Sequence, residues 1–584
     1  MNKRIVVVGG VAAGATAAAK ARRTNEQAEI VLVEAGPYMS FANCGLPYYV
    51  GGEIPRRDDL FVTNPRRFGR RYKVEVRLNT EVVSISRGRR SVELRDESGA
   101  AEALGYDRLV LATGAVPIRP AIEGLADCAN LFFCRTVPDA DAMVTRIEEL
   151  APGRAKTAES RGAGPSDPRA LIIGGGYVGL ECAEQLLARG FKVTVVELLG
   201  QLMSSLDPEM AQPLQQALTE AGAEIILNDG VTKLTGGDLP GPTAVLRSGR
   251  QVPFDLAILA VGVKPNVALA KAAGLELGPT GAIAVDTYQR SSDPAIYAAG
   301  DNCQSVFLPT GKAVNIPLAG PAIKQGRTAG ANTALDLMAA PDDDPRRLTF
   351  AGVLGTAVVR VCGKVAGGTG LSERAARREG LDVGVSYAFG SNHATYYPRA
   401  EYMLVKTIYR PADGRLLGAQ VAGGEGVDKR LDVFAAAIHG GLTVEDLEQL
   451  DLCYAPPFGS ARDAASLAGL VAANARRGIA PAIGPAQLLQ EMEGEHPPIV
   501  LDVRTPGEYR RENIPGALNL PVDALRERIQ EVPADRPVVL QCNVGYRSYI
   551  AQQILRNHGR RNVRNLLGGY VLFHPVREMK HREG

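Results

Sequence analysis

Two cysteines stand in settings that single out their sulfur atoms. Cys44 lies in the run Ser40-Phe41-Ala42-Asn43-Cys44-Gly45-Leu46-Pro47-Tyr48-Tyr49, and Cys542 opens Cys542-Asn543-Val544-Gly545-Tyr546-Arg547-Ser548. Neither has a second cysteine within reach in sequence, and the 8 cysteines of the chain show no Cys-x-x-Cys and no metal-ligand spacing. A lone reactive thiol can cleave an S–S bond, carry sulfane sulfur as a persulfide, or cycle through a mixed disulfide or sulfenic acid. The pair therefore predicts passage of sulfur or electrons between two thiols and a partner outside the protein.

The elements that must position these thiols begin with two βαβ units of one design. Arg4 to Val8 reads as a buried parallel strand, followed by Gly9-Gly10-Val11-Ala12-Ala13-Gly14, an Ala-rich helix to about Arg23, and the strand Glu29 to Glu34. The pattern returns at Ala170 to Ile173, Gly174-Gly175-Gly176-Tyr177-Val178-Gly179, a helix to about Arg189, and Lys192 to Glu197. Such glycines let the backbone approach a pyrophosphate at a helix N-terminus, and the acid that follows (Glu34, Glu197) accepts hydrogen bonds from a ribose. The first copy departs from the pattern, with Val11 where its second glycine would stand.

The 584 residues allow three to five domains at about 150 residues each. A net charge of +2 gives no global field for nucleic acid or an acidic membrane, although local basic clusters could hold a phosphorylated small molecule. Scattered cysteines predict a reducing, cytoplasmic setting. Met1 to Ala19 superficially resembles a signal peptide, but its glycines complete the strand–turn–helix motif instead. No run reaches the roughly 18 apolar residues of a spanning helix. Ala151 to Pro168 reads as a polar, flexible insertion, Leu348 to Leu452 as an α+β domain, and Ser460 to Pro485 as an Ala- and Gly-rich join. The last segment, of about 100 residues, suffices for one small domain.

Leu111-Ala112-Thr113-Gly114-Ala115-Val116-Pro117, Ala260-Val261-Gly262-Val263-Lys264-Pro265-Asn266 and Ile296-Tyr297-Ala298-Ala299-Gly300-Asp301 end strands at returns of the chain. Together with the doubled glycine turn they resemble the signatures of the two-dinucleotide flavoprotein superfamily, the FAD- and NAD(P)H-dependent disulfide reductases, over residues 1 to about 460. The resemblance implies FAD on the first unit, about Gly9, Val11, Ala12, Ala13, Gly14, Glu34, Ala35, Asn43, Val82, Thr113, Gly114, Asp301 and Ala319, with Asp301 on the ribityl chain. It implies the nicotinamide cofactor on the second, about Gly174, Gly176, Tyr177, Val178, Glu181, Glu197 and Gly262. Glu197 would repel a 2′-phosphate, which favours NADH over NADPH.

Reductases of the glutathione reductase type carry Cys-x4-Cys, and this chain does not. The context Ser-Phe-x-x-Cys-Gly-x-Pro-Tyr is instead similar to the single-cysteine branch: coenzyme A-disulfide reductases, NADH oxidases and NADH peroxidases. The peroxidases carry a histidine near the first glycine turn, whereas no histidine precedes His393 here. Ser391-Asn392-His393-Ala394-Thr395-Tyr396-Tyr397-Pro398 and Asp451-Leu452-Cys453-Tyr454-Ala455-Pro456-Pro457 resemble segments that coenzyme A-disulfide reductases bring across a dimer interface. That implies catalytic roles for Tyr396, Tyr397 and Tyr454, since a phenol can donate to a thiolate or protonate a leaving one. Cys453 stands where the family has alanine. Thr16, Lys20, Arg23, Ser40, Asn43 and Arg71 match positions that contact coenzyme A, and Arg22, Arg70 and Lys73 add cations nearby. Cys128, Cys134, Cys182 and Cys362 suit inert packing.

In the last segment, Ile499 to Tyr509, Asn513-Ile514-Pro515-Gly516-Ala517, the strand Pro537 to Gln541 ending at Cys542, and Leu567-Gly568-Gly569-Tyr570 resemble a single-domain rhodanese in four ordered motifs. Backbone N–H groups converging on Cys542, with Arg547, would lower its thiol pKa and stabilise a persulfide anion. The expected protein is an α/β chain. It has an FAD-binding domain (1–115 and 253–335), an NAD(P)H-binding domain (116–252) with the insertion at 151–168, and an α+β dimerisation domain (336–460). A linker (461–485) leads to a rhodanese domain (486–584). As a whole it resembles coenzyme A-disulfide reductase–rhodanese fusions. NADH-driven, FAD-dependent reduction of persulfides, polysulfides or coenzyme A disulfide at Cys44 is expected, with Cys542 carrying sulfane sulfur in a cytoplasmic homodimer whose active sites are shared. An NADH oxidase using a Cys44 sulfenic acid and a sulfide-responsive redox sensor are the alternatives.

Overall fold

The strands of the first βαβ unit are continuous apolar runs, as burial on both faces requires, and Ile5, Val6 and Val7 are fully buried. In the computed structural model, which describes residues 3–151, 167–236 and 241–583, the chain forms two compact units. One is Met1–Leu202 with Leu218–Gly355, the other Met203–Ala217 with Thr356–Gly584. Most of the expected insertion at 151–168 lies outside the described residues.

The first unit holds two five-stranded parallel sheets. One has the order Ile296–Ala298, Arg108–Leu111, Arg4–Val8, Glu29–Val33, Glu75–Arg77; the other Glu224–Ile226, Lys192–Val196, Arg169–Ile173, Leu256–Leu259, Leu131–Phe132. Register aligns Val8 with Val33 and Leu111, and Ile173 with Val196 and Leu259. The carboxyl ends of adjacent strands therefore finish level, and the glycine turns, Glu34 and Glu197, and the Thr113 and Gly262 loops open on the same edges, where such sheets bind ligands. Helix α1 (Ala12–Thr24) buries Ala13, Ala15, Ala17, Ala18, Ala19 and Ala21, and its small side chains allow close packing on the helix Ala319–Leu337. The short helix α2 (Leu46–Gly51), α3 (Pro65–Tyr72), α4 (Val137–Leu150) and α5 (Tyr177–Ala188) complete the parts that matter to the site.

The second unit contains an antiparallel sheet in the order Ala357–Val361, Lys364–Gly370, Leu416–Gly423, Tyr402–Tyr409, Gly384–Ser391. Inside it Lys406, 1% exposed, holds three carboxylates: its Nζ lies 2.8 Å from Asp207, 2.5 Å from Glu209 and 2.8 Å from Glu373. The stretch 461–485, expected as a linker, is mostly a packed helix, Ala464–Arg476. It lies on the antiparallel sheet with Ala464, Ala465, Ala468, Ala472 and Ala473 buried, and Asp463 at its start pairs with the buried Arg430 at 2.7 Å. Its Ala- and Gly-rich composition reflects close helix–sheet contact, not a flexible tether. The final segment forms a parallel sheet in the order Ala482–Ile483, Val563–Leu566, Val538–Gln541, Ile499–Asp502, Leu518–Asn519, with apolar cores on both faces. Among the described residues no helix is long and apolar enough to cross a membrane.

Candidate active sites

The two glycine turns are built alike. In the first, the Glu34 carboxylate accepts hydrogen bonds from Gly10 N at 2.7 Å and Gly36 N at 2.8 Å. In the second, Glu197 accepts from Gly175 N at 2.7 Å and Leu199 N at 2.9 Å. Each acid thus ties its strand end to its turn. Burial raises the Glu34 carboxyl, opposed by the N–H groups of Gly36 and Gly10. Gly14 is required by proximity, because a Cβ there would sit 1.8 Å from Gly9 O. Neither α1 nor α5 has a side-chain cap, and neither has an acid in its first turn, whereas α4 is closed by a Thr136–Asp139 capping box. The helix N-terminus after each glycine turn is the place where a pyrophosphate would bind.

Tyr177 and Val178 open α5, Val178 being 40% exposed. Val82 differs from the expectation in kind: its side chain is buried in the core at a strand irregularity, so only its backbone could face a cofactor. Thr113 Oγ1 donates to Asn266 O at 2.7 Å and accepts from Asn302 Nδ2 at 3.1 Å. Asn302 is fully buried, and its Oδ1 has no hydrogen-bond partner. Burial raises the Asp301 carboxyl, opposed by Arg135, whose Nη2 lies 3.8 Å from it.

Cys44 lies in the 3-10 turn Asn43–Gly45 that runs into α2, and it is exposed. The surrounding protein displaces enough water to raise its thiol, and the carboxylates of Glu181 and Asp301 add to this. Its own N–H and Arg135 act in the opposite sense. Tyr48 OH donates to Glu181 at 3.0 Å, and Asn43 Nδ2 donates to Arg135 O at 3.4 Å. The cysteine turn is therefore joined both to α5 of the second glycine unit and to the Arg135–Asp301 pair beside the first. Sequence reading gave no role to Arg135, Asn302 or Tyr48, although Tyr48 stands in the Cys44 motif and Asn302 follows Asp301. Ser40 adopts the left-handed conformation, with φ of 50°, rare for a non-glycine residue.

In the second unit the two tyrosine segments meet. Tyr396 OH lies 3.0 Å from Tyr454 OH, and Ala394 N donates to Pro456 O at 3.3 Å. The Tyr396 turn is fixed from below: Asn392 Oδ1 accepts from His393 N and Glu401 N, both at 2.9 Å, and the buried Arg430 donates to Asn392 O at 2.8 Å. Tyr396 is 76% and Tyr454 48% exposed, and the hydrogen bond with Tyr396 raises the Tyr454 phenol. Tyr397 packs edge-on against His393.

Cys542 ends the strand Val538–Gln541 and is 1% exposed. Gly545 N donates to its Sγ at 3.1 Å, and Ser548 Oγ, at 3.4 Å, donates from the first turns of the helix Tyr546–Asn557. The glycine motif closes over it: Tyr570 N donates to Cys542 O at 2.8 Å, and a Cβ at Gly569 would lie 2.4 Å from that oxygen. The Arg547 guanidinium is raised by its hydrogen bonds to Glu508, against burial, and the charges of Cys542 and Asp502 add to this. It is engaged bidentately by Glu508 at 2.8 and 2.6 Å, because Glu508 is presented by the capping box of the helix Pro506–Arg511. The donors that reach the sulfur are Gly545 N and Ser548.

The pyridine nucleotide-disulphide oxidoreductase family matches residues 3–326, its dimerisation domain 357–466, and the rhodanese-like domain 484–574. The chain belongs to the pyridine nucleotide-disulphide oxidoreductases. It is therefore a family enzyme with a rhodanese-like domain at its end, and the family's cofactors are FAD and NAD(P)H. A Methanocaldococcus jannaschii protein named NADH oxidase is 33% identical over 466 residues, 80% of this chain and 97% of the relative. The NAD(P)H coenzyme A polysulfide/persulfide reductase of Pyrococcus horikoshii is 34% identical over 465 residues, covering 79% and 97%. The solved structure of reduced Bacillus anthracis CoADR-RHD matches with a TM-score of 0.91 at 38% identity, covering 99% of this chain and 98% of the other.

Proposed function

We propose that this oxidoreductase uses NADH to reduce persulfides, polysulfides and the disulfide or persulfide of coenzyme A at a single redox thiol, Cys44, while Cys542 carries sulfane sulfur. The observation that carries this reading is the placement of Cys44: a lone exposed thiol on a turn bound to Glu181 through Tyr48 and to Arg135 through Asn43. FAD would be held by the turn Gly9–Gly14, Glu34, Asp301 and Arg135, and NADH by the turn Gly174–Gly179 and Glu197. Together they supply the two-electron reduction.

Glu197 spends both carboxylate oxygens on backbone N–H groups and leaves its negative charge where a 2′-phosphate would sit, which supports NADH over NADPH. The Cys44 thiolate attacks a persulfide RS–SH in one of two senses. Attack on the inner sulfur forms Cys44–S–SR and releases hydrosulfide. Attack on the outer sulfur forms a Cys44 persulfide and releases the thiolate RS⁻. Two electrons and a proton then return Cys44 to the thiolate, with RSH or hydrosulfide as product. Tyr396 and Tyr454 share one hydrogen bond, so one phenol keeps an O–H free to protonate a leaving thiolate. We place them at Cys44 of the second subunit of a homodimer, as the family resemblance implies, and the enzyme in the cytoplasm. Thr16, Lys20, Arg23, Ser40, Asn43 and Arg71 would contact coenzyme A.

Cys44→Ser is expected to abolish NADH-dependent persulfide reduction. Cys542→Ser is expected to remove thiosulfate sulfurtransferase activity while sparing reduction of free small persulfides. Full reductase activity in Cys44→Ser would overturn the mechanism. The relative named NADH oxidase supports a second reading, which predicts oxygen consumption as fast as persulfide turnover.

A further inference from the structure

Two thiols outside the proposed chemistry meet close to the Cys44 turn. Cys182 lies in α5 and is fully buried, and Cys134 follows the strand Leu131–Phe132 and is partly buried. They are 48 residues apart in sequence, and the fold brings them together. Leu131–Phe132 pairs with the strand Leu256–Leu259, and α5 packs on that strand. The Cys182 thiol is held well above its ordinary range, first by its hydrogen bond to Cys134, then by burial and by the charges of Cys134 and Glu181.

Sequence alone reads both as packing cysteines, but packing cysteines in this fold are satisfied differently. The buried Cys303 Sγ reaches Gly300 O at 3.3 Å and Gln289 Oε1 at 3.7 Å, and Cys128 takes the N–H groups of Asn130 and Leu131. Cys182 instead donates to a second sulfur, and solvent reaches that sulfur. Two thiols in that relation can form a disulfide by exchange, the accessible one attacking and the buried one resolving.

The sequence neighbours of the pair are groups that act on Cys44. Arg135, beside Cys134, accepts from Asn43 at its carbonyl and acts to lower the Cys44 thiol. Glu181, beside Cys182, accepts from Tyr48 at 3.0 Å and acts to raise it. An S–S bond of about 2 Å is shorter than a hydrogen-bonded contact, so closing it shifts the Arg135 segment against α5.

We propose that Cys134 and Cys182 form a second redox site, which small disulfides oxidise to an intramolecular S–S bond that slows turnover at Cys44. The Cys134 thiolate attacks RS–SR, forms Cys134–S–SR and releases RS⁻, which takes up the proton that Cys134 lost. Cys182 then attacks the Cys134 sulfur and passes its own proton to the second leaving RS⁻. One RS–SR and two protein thiols thus give one protein disulfide and two RSH. The bond stands on the cysteine pair alone, whereas its effect on turnover rests on the reading of Cys44 given above.

The test incubates the full-length flavoprotein with glutathione disulfide in the absence of NADH, removes the reagent, and maps unreduced peptides by mass spectrometry. Turnover is read as NADH oxidation with glutathione persulfide. The wild type is expected to give a Cys134–Cys182 cross-linked peptide and to turn over about tenfold more slowly, since misplacing groups at a reacting centre by about 1 Å can cost that much or more. Dithiothreitol should reverse both changes. Cys134→Ala and Cys182→Ala are each expected to form no such peptide and to keep their turnover after treatment. Cys44→Ser should still form the cross-link. No cross-linked peptide from the wild type at saturating glutathione disulfide would overturn the site. An equal loss of turnover in Cys134→Ala would also count against the proposal, because the loss would then arise at Cys44 itself. A wild type that forms the cross-link but reduces no persulfide before treatment would sink the reading of Cys44 and leave the second thiol site standing.

Discussion

Replacing Lys406 by methionine isolates the largest electrostatic commitment in the second unit. Lys406 is 1% exposed, and its carboxylate partners Asp207, Glu209 and Glu373 have side chains 3%, 10% and 24% exposed. Asp207 also accepts from the backbone N–H groups of Glu373 and Arg374 and from Gln420 at 2.6 Å, and Tyr387 OH donates to Glu209 at 2.7 Å. Burial acts to lower the Lys406 ammonium pKa, but Tyr387, Glu209, Asp207 and Glu373 outweigh it and hold it well above the ordinary value. Burial likewise acts to raise Asp207, and Lys406 with the two backbone N–H groups pulls it below the ordinary value. Methionine fills similar space without charge and leaves three clustered carboxylates uncompensated. Removing one partner of a buried pair costs about 3–5 kcal/mol. At about 2–4 °C per kcal/mol for a domain of this size, the thermal midpoint of the unit should fall by about 10 °C at neutral pH. The pH dependence carries the sign. Carboxyls whose folded pKa rises above the unfolded value are stabilising when protonated, and that stability is lost as pH rises through the folded pKa. Lys406→Met should therefore gain stability relative to wild type on acidification, and adding Asp207→Asn should restore part of the loss. A midpoint at pH 7 within about 2 °C of wild type, or a deficit that does not shrink at low pH, would refute this reasoning.

Four further outcomes follow from the sites. Glu181→Gln removes one of the charges that raise the Cys44 thiol, so pH-dependent alkylation of Cys44 should shift to lower pH, and Arg135→Gln should shift it to higher pH. Ser548→Ala removes the hydroxyl 3.4 Å from Cys542 Sγ and should lower sulfurtransferase turnover while leaving NADH-dependent reduction of free persulfides intact. Arg547 holds the Glu508 carboxyl down to about 2, so this pair contributes stability present above about pH 4.5 and lost as pH falls through about 2. The partly exposed pair is worth about 1 kcal/mol, and Glu508→Gln should flatten that acid limb in thermal unfolding. Tyr396→Phe and Tyr454→Phe each delete one partner of the phenol pair, and each should slow persulfide reduction with little change in NADH binding, as single-turnover kinetics would show.

Much of the site was legible because its chemistry lies in short local patterns. A strand–glycine turn–helix with an acid after the next strand needs no long-range information, and both copies fold with the acid bound to the turn N–H groups. Cys542 and its glycine loop were legible for the same reason. Arg135 was not: it comes near Asp301 and Cys44 only through tertiary folding. That the join contains the packed helix Ala464–Arg476 was not legible, because alanine and glycine mark both connecting segments and tight helix–sheet contacts, and only the packed face tells them apart. The Lys406 cage was invisible, since its carboxylates lie 33 to 199 residues from Lys406 and singly look like surface charges. The ion pair of Arg547 with Glu508, 39 residues away, was not legible, since only the fold brings the two together.

The two cysteines sit in opposite conditions of solvation. Cys542 is buried, and its sulfur accepts a backbone N–H at 3.1 Å. On the proposed reading, a charged persulfide there would keep a fixed donor and be shielded from other thiols. Cys44 is exposed, yet desolvation, Glu181 and Asp301 disfavour its thiolate. A thiol held above its ordinary pKa attacks poorly unless something lifts that penalty. A substrate or cofactor that screens Glu181 or Asp301 would release the thiolate at the moment of need. On the proposed reading, the alkylation rate of Cys44 at fixed pH should rise when NAD⁺ occupies the second glycine turn beside Glu181; a rate unchanged by saturating NAD⁺ would leave the raised thiol without a catalytic purpose.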